Sequence, residues 1–514
     1  MANAEDNSFD VAIVGFGPTG AVAAGLLGAQ GIRTYVCEKS HDVYNKPRAI
    51  ALDHEIIRLF QQMGVVKQIK PFIEPFTDSV YYGVNGQVIK RMSTVEPPFP
   101  LAHTPSIVFT QPPTERVLRE HAQSFPSVTV ELGKSLTHLI QDAYGATIIL
   151  EDEDGRTSTV RSRYVIGCDG AASTVRTQIG ITLEDLDFDE PWLVVDVLVN
   201  ERGKAKLPTT SIQYCNPGRP SSYLICPGNH RRWEISINPG EDPKQLATPE
   251  GTWKLLEPWL TPDDATLWRQ ASYRFHALVA AEWRKERVFL AGDAAHQQPP
   301  FLGQGMCQGL RDVVNLSWKL QAVLQAGAPD RLLDSYGSER KTHVIDLTTR
   351  IKGIGKIICE RDPVRALDRD AKLLAECGGV VKPTPRQDVQ PALRSGLLAA
   401  QAHSACGTIF PQPWLASNGG VPRRMDDVLG YGWRLVLART ANAALSRYAH
   451  GLALPHLTVV QLGVHGFEET QNVLAGWFER QGCSAALVRP DQYVFGIAST
   501  GMELAAQLDS LAKF

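Results

Sequence analysis

The feature that most constrains this chain is a glycine pattern near its start, Gly15-x-Gly17-x-x-Gly20, set between the apolar run Phe9 to Val14 and the small apolar stretch Ala21 to Ala29. A short apolar run before glycines reads as a buried parallel strand. The small residues beyond it suit a helix lying close on a sheet. Gly31 closes that helix, and Ile32 to Cys37 reads as the next strand, which completes a βαβ unit. In such a unit the first glycine permits a tight turn and the second lets backbone approach a pyrophosphate. The third allows close helix–strand contact, and the helix N-terminus favours the phosphate charge. Glu38 ends the second strand, 18 residues after Gly20, where an acid can bind ribose hydroxyls. A ligand-free glycine turn is the alternative, but strand, helix and acid together favour a dinucleotide. The pattern alone does not separate NAD from FAD.

The rest of the chain bounds the answer. Its 514 residues exceed one ordinary core, so two to four domains are expected. A net charge of −3 without blocks of like charge argues against nucleic acid or an anionic membrane surface as partner. No apolar run is long enough to cross a bilayer. The first ten residues lack the pattern of a signal peptide. Nine scattered cysteines with no Cys-x-x-Cys predict reduced thiols in a cytoplasmic protein and no metal site.

Along the chain, Thr147 to Leu150 and Thr159 to Ile166 read as strands around the turn Asp154-Gly155. Between Asp187 and Asn238 the runs Leu193 to Val199, Ser211 to Tyr214 and Arg232 to Ile237 suggest an inserted, largely antiparallel sheet. Arg287 to Ala291 returns to a buried strand. Gly305 to Ala326 carries a helical pattern, and two more helices are expected up to about Cys377. The expected domains are 1–186 and 281–377 for the nucleotide-binding unit, 187–280 for the inserted sheet, 378–394 for a linker and 395–514 for a smaller C-terminal unit.

Two distant segments identify the ligand. Val165 to Arg176 contains Cys168-Asp169-Gly170, a strand leading through a tight turn into a helix. Val288 to His296 contains Gly292-Asp293, a strand ending in a polar turn. Together with the first glycines they resemble the group A FAD-dependent aromatic hydroxylases, single-component flavoprotein monooxygenases. The resemblance implies that Asp293 holds the ribityl chain, and that Asp169, Gly170 and Arg176 serve both FAD and a passing NADH or NADPH. Either aspartate could equally form a turn or cap a helix. Arg48, in Lys46-Pro47-Arg48-Ala49, and Gln111, just before the helical stretch Glu115 to Ala122, match cofactor-contacting positions. Pro299-Pro300-Phe301-Leu302-Gly303-Gln304-Gly305-Met306 leads into the long helix. Its backbone N–H groups and dipole can stabilise charge on a reduced flavin, and the resemblance implies that they do so here and that Pro299 and Pro300 border the substrate. Within the family, the segments Arg48 to Glu55, Asp187 to Asp196 and Gln298 to Met306 are most similar to those of 3-(3-hydroxyphenyl)propionate hydroxylases.

The implied fold is α/β: a Rossmann-like FAD-binding domain, an inserted mainly antiparallel substrate sheet and a thioredoxin-like C-terminal domain. Cys483 is read there as standing alone, which gives that domain a structural role. The implied reaction uses NAD(P)H and O2 to hydroxylate a small phenol ortho to its hydroxyl, through a flavin C4a-hydroperoxide. Resorcinol, a polycyclic phenol, or a non-oxygenating dehydrogenase or reductase are the alternatives. The absence of a second Gly-x-Gly-x-x-Gly fits a transiently docked nicotinamide. His54 and His296 are the candidates for a base near the phenol. Tyr214, Tyr223 and Arg232 are candidates to line the pocket, with Arg219 or Arg232 for a substrate carboxylate. A homodimer is plausible from the appended domain.

Overall fold

The computed structural model describes residues 9–400, 403–416, 420–452, 456–464 and 467–511. The strand Phe9–Val14 lies between Thr34–Glu38 and Thr157–Gly167, parallel to both. Val128–Leu132 and Val288–Leu290 extend the parallel sheet at either side. The helix Pro18–Ala29 covers this sheet, and its small residues are what allow the approach. A Cβ on Gly28 would stand 2.6 Å from Val128, and one on Gly25 would stand 3.0 Å from Met63 and from His121.

A second, nine-stranded sheet contains Leu183–Val199, Ser211–Tyr214, Ser221–Ile225, His230–Ser236 and Ala265–Ala280. It is mostly antiparallel, as expected, but draws on more of the chain. Ser79–Tyr82 and Val88–Ser93 complete it from the N-terminal side. The segment 378–394, expected to be a linker, is not one. Pro383–Pro385 pairs in parallel with Arg91–Ser93 at the sheet edge, and Arg386–Val389 makes a short helical turn behind it. The proline-rich composition reflects an edge strand, where missing N–H donors cost nothing.

The C-terminal unit runs strand Trp433–Leu437, helix Ala443–His450, strand Leu457–Gln461, helix Val473–Gln481, hairpin Ala485–Val488 and Val494–Ala498, and helix Gly501–Leu511. The first strand is parallel to the second and antiparallel to the third, which is the thioredoxin-like arrangement. The expected end of the last helix, 512–514, lies outside the described residues. Cys483 does not stand alone: burial pushes its thiol up to about 12, and nearby Cys406 adds to the shift. A thiol held so high is mostly protonated near neutrality, which agrees with a structural role. Among the described residues no helix is long and apolar enough to cross a membrane.

Buried charge docks this unit on the first domain. Arg489 donates to Glu339 (2.6 Å) and Asp491 (2.6 Å), and Lys319 donates to Glu339 (2.8 Å). Burial alone would raise the Glu339 carboxyl, but the Arg489 and Lys319 charges override it and hold it at about 2, against its ordinary 4.5. A depressed acid contributes stability that is complete above its ordinary value and lost as pH falls through the folded one. The melting temperature is therefore expected to fall between about pH 4.5 and 2, and a Glu339→Gln protein to lose part of that dependence. Thermal unfolding followed across this window checks it.

Candidate active site between the two sheets

The three segments that stood far apart in the sequence leave adjacent parallel strands in step. Gly15 N–H donates to Cys37 O (2.8 Å), Cys168 N–H to Val14 O (2.8 Å) and Ala291 N–H to Gly167 O (2.9 Å). Their turns meet at the carboxyl ends of the strands, where open α/β sheets bind ligands. Gly15 has φ +100°, and a Cβ there would lie 2.4 Å from Cys168 O. A Cβ on Gly20 would lie 2.0 Å from Gly15 O. Gly17 differs, because nothing lies within 4 Å of its Cβ position. The space in front of the first helix is open there.

A cavity of about 450 Å³ runs from these turns to the antiparallel sheet. Gly17, Pro18, Thr19, Arg48, Gln111, Gly170 and Asp293 line one part, and Gly303, Gly305 and Met306 another. Gln111 is the first residue of the helix Gln111–Gln123. Its Oε1 accepts from Arg48 N–H (3.1 Å) and Ala49 N–H (2.7 Å), fixing the loop that carries Arg48. Asp293 is exposed to the cavity and receives no hydrogen bond from the described residues. Burial in the surrounding protein raises its carboxyl, against the opposing charges of His296 and Arg48. The long helix Gly305–Gln325 has no side-chain cap, and nothing stands within 4 Å of a Cβ on Gly305. Its first N–H groups thus face open space. Gly303 is required at φ +64°, since a Cβ would press 2.6 Å from Ala51.

These features fit FAD. The open helix start at Gly17 to Thr19 could hold a pyrophosphate, Asp293 a polyol hydroxyl, and the N–H groups at Gly305 the electron-rich edge of a ring. Glu38 Oε2 accepts from Phe16 N–H (2.8 Å), which places its carboxylate beside the glycine turn.

Other expected residues are placed differently. Asp169 accepts from Ser173 Oγ (2.6 Å) and Val175 N–H (3.0 Å), so it builds the turn and leaves Gly170 to line the cavity. Arg176 donates to Ala294 O (2.8 Å) and Ala171 O (2.9 Å), tying the two aspartate turns together instead of reaching a ligand. The Gln304 side chain turns away to a second cavity of about 250 Å³, where it accepts from Arg311 (3.0 Å) and Gln390 (2.8 Å). His54 also faces that second cavity, and burial pushes its imidazole down to about 4. Pro299 is buried, and Pro300 is the proline that lines the large cavity. His296 does line it, but its Nε2 lies 2.8 Å from Asp312, which also accepts from Gly292 N–H (3.0 Å) and Arg340 (2.9 Å). Its ring stacks on Trp283. These contacts assign His296 to fastening the Gly292-Asp293 turn onto the long helix.

The inserted sheet gives the clearest corrections. Alternate residues of a strand face opposite sides. Tyr223 packs on Trp233, and Tyr214 on Tyr82 and Trp259, all on the side away from the cavity. Their neighbours Gln213, Ser222 and Leu224 face it. Arg232 reaches it but is held by Asp196 (2.7 and 2.9 Å) and by the carbonyls of Pro47 and Arg48. Arg219 is paired with Glu241 (2.9 and 2.5 Å). Neither is free for a carboxylate. The sequence reading missed Glu234, the aromatic set Trp192, Phe275 and Phe301 at the apolar end, and Arg386. Arg386 lies 3.9 Å over Phe76, donates to Ser79 Oγ and has no described carboxylate partner. The polar–apolar alternation of Arg232-Trp233-Glu234-Ile235-Ser236 was the available signal for Glu234.

Residues 8–350 match the family model described as FAD binding domain, and residues 407–513 match the HcaD C-terminal domain. The chain is 36% identical over 506 residues to a probable NADH-specific resorcinol 4-hydroxylase of Rhodococcus jostii (strain RHA1), covering 96% of this chain and 93% of that protein. It is 31% identical over 521 residues to a 3-(3-hydroxy-phenyl)propionate/3-hydroxycinnamic acid hydroxylase of Burkholderia cenocepacia (strain HI2424), covering 95% and 93%. Its fold is that of the flavin-dependent monooxygenase PieE, solved with FAD and substrate, at a TM-score of 0.81 and 23% identity over 99% of both chains. Matched over its first two domains by that family model and over nearly its whole length by these hydroxylases, the chain belongs to the FAD-binding-domain family of flavoprotein aromatic hydroxylases.

Proposed function

We propose that this protein is an FAD-dependent, NADH-consuming monooxygenase that places one oxygen atom from O2 on a small phenol, ortho to its hydroxyl. One observation carries the reading. The uncapped start of the helix Gly305–Gln325 and the free carboxylate of Asp293 open into the same cavity as the aromatic wall of the antiparallel sheet. The relatives named for resorcinol and for 3-hydroxyphenylpropionate support a phenolic substrate.

When bound, FAD would take up the reducing equivalents of NADH and supply the activation of oxygen. The chain supplies position and field. Gly17 to Thr19 would hold its phosphates, and Asp293 and Arg48 its sugar-like part. The N–H groups at the start of the helix Gly305–Gln325 would stabilise negative charge at its ring edge. Phe275 and Phe301, with Trp192 behind them, offer an apolar face for an aromatic substrate and exclude water from it.

The test is NADH oxidation with purified holoenzyme across a panel that includes resorcinol, phenol and 3-(3-hydroxyphenyl)propionate, with oxygen uptake and product mass recorded. Hydroxylated product in step with NADH consumption is expected for at least one of them. NADH oxidation that yields only hydrogen peroxide with every phenol would argue for a non-oxygenating flavoprotein.

A further inference from the structure

Across the floor of the cavity the sheet register sets one row of residues side by side: Val194, Glu234, Ser222 and Gln213. All four line the cavity. Ser222 Oγ donates to Gln213 Oε1, and no described acceptor takes the Gln213 amide. Glu234 is 5% exposed, and its carboxylate receives no hydrogen bond from any described residue. A buried acid without a hydrogen-bond donor is costly unless a ligand or a proton meets it.

Resting on the hydroxylase reading above, we propose that Glu234 accepts the proton of the substrate's ring hydroxyl, with Ser222 and Gln213 completing the polar row that orients the ring. The phenolic O–H bond breaks, the proton passes to a Glu234 oxygen, and the electron pair stays on the phenolic oxygen and is shared with the ortho carbon. No oxidant is needed for this step. It makes the ring a better nucleophile toward the oxygen it will receive.

The surroundings suit the role. Burial lifts the Glu234 carboxyl to about 7, with Arg232 on the same strand opposing and Asp196 on the next strand adding to it. Arg232 is paired with Asp196, which His230 (2.7 Å) and Arg269 (3.7 Å) also share. On the strand beyond, Arg269 donates to Pro47 O, and Arg274 and His276 turn to Asp189. Arg48, Arg386, Asp293 and His296 line other parts of the cavity. His54 and His296, the bases expected from sequence, are respectively in another cavity and committed to Asp312.

The test uses holoenzyme of wild type, Glu234→Gln and Glu234→Asp. Wild-type kcat on a neutral phenol should rise as pH passes about 7, as the carboxylate forms. Glu234→Gln should lose that limb and roughly 10²-fold or more in kcat. Activity should return with a nitrophenol used above its own ionisation pH, which a merely structural residue would not allow. Glu234→Asp should keep the pH limb at reduced rate, and it carries the test should the glutamine variant fail to hold FAD. An active wild type whose Glu234→Gln form keeps the rate and the limb would refute Glu234 alone, as would equal failure on pre-ionised phenol. A wild type that hydroxylates no phenol would refute the hydroxylase reading and this one with it.

Discussion

Gly15→Ala is expected to yield a protein that no longer retains flavin, with an affinity for FAD reduced at least about 100-fold, or about 2.7 kcal/mol. Two effects combine. At φ +100° an L side chain costs roughly 1–2 kcal/mol. The new methyl would also stand 2.4 Å from Cys168 O and 2.7 Å from its carbon, backbone atoms that cannot swing aside. Cys168 is itself held by its N–H bond to Val14 O, and Gly15 by its bond to Cys37 O. Relief must therefore part the ends of the two strands that present the cofactor turns. The apoprotein should lose stability as well. Gly17→Ala provides the contrast, because its methyl meets no protein atom within 4 Å. That apoprotein should melt as wild type does while binding FAD more weakly, since the methyl occupies the approach of the phosphates. Flavin fluorescence titration and apoprotein melting separate the two cases.

Arg489→Met should cost about 3–5 kcal/mol of stability, the usual result of stripping one partner from a buried ion pair. Arg489 is fully buried, and its guanidinium serves Glu339, Asp491 and the Leu397 carbonyl at once. Removing it leaves Asp491 with only a neutral donor, the Asn315 amide (3.0 Å), and Glu339 with Lys319 as its one remaining cation beside the Asn315 amide and the Leu397 N–H. Glu339 sits on the long helix Asp334–Ile358 of the first domain and Arg489 on the C-terminal unit, so the loss falls on the docking between them. The exposed pair Arg439–Glu468, 3.4 Å apart and more than half solvent-facing on both sides, should change stability by less than about 1 kcal/mol when broken. Thermal unfolding of both variants decides whether the buried hub or surface charge holds the unit in place.

The cofactor side of the site was legible because its logic is local. Gly15, Gly20 and Gly303 are needed for close backbone approach, and Asp293 for a free carboxylate at a strand end. Each leaves a signature in a short stretch of sequence. The substrate side was legible only as far as the presence of strands. Which face of a strand meets the cavity depends on a register shift of a single residue. That shift is why Tyr214 and Tyr223 were expected in the pocket while Gln213, Ser222 and Glu234 occupy it. Arg176, Arg219 and Arg232 looked available because an unpaired arginine and a committed one are identical in sequence. Their partners Ala294, Glu241 and Asp196 lie 118, 22 and 36 residues away along the chain. Arg386 was hidden in a segment whose prolines read as a linker, although they mark an edge strand of the substrate sheet.

The central claim, that the cavity joins an FAD site to a phenol site for oxygen transfer, is tested most directly with isotopically heavy dioxygen. Holoenzyme, NADH and a phenol turned over in ordinary water are predicted to give a hydroxylated product carrying one heavy oxygen atom per molecule. A product whose new oxygen comes from water, or NADH consumption with no hydroxylated product from any phenol, would contradict it.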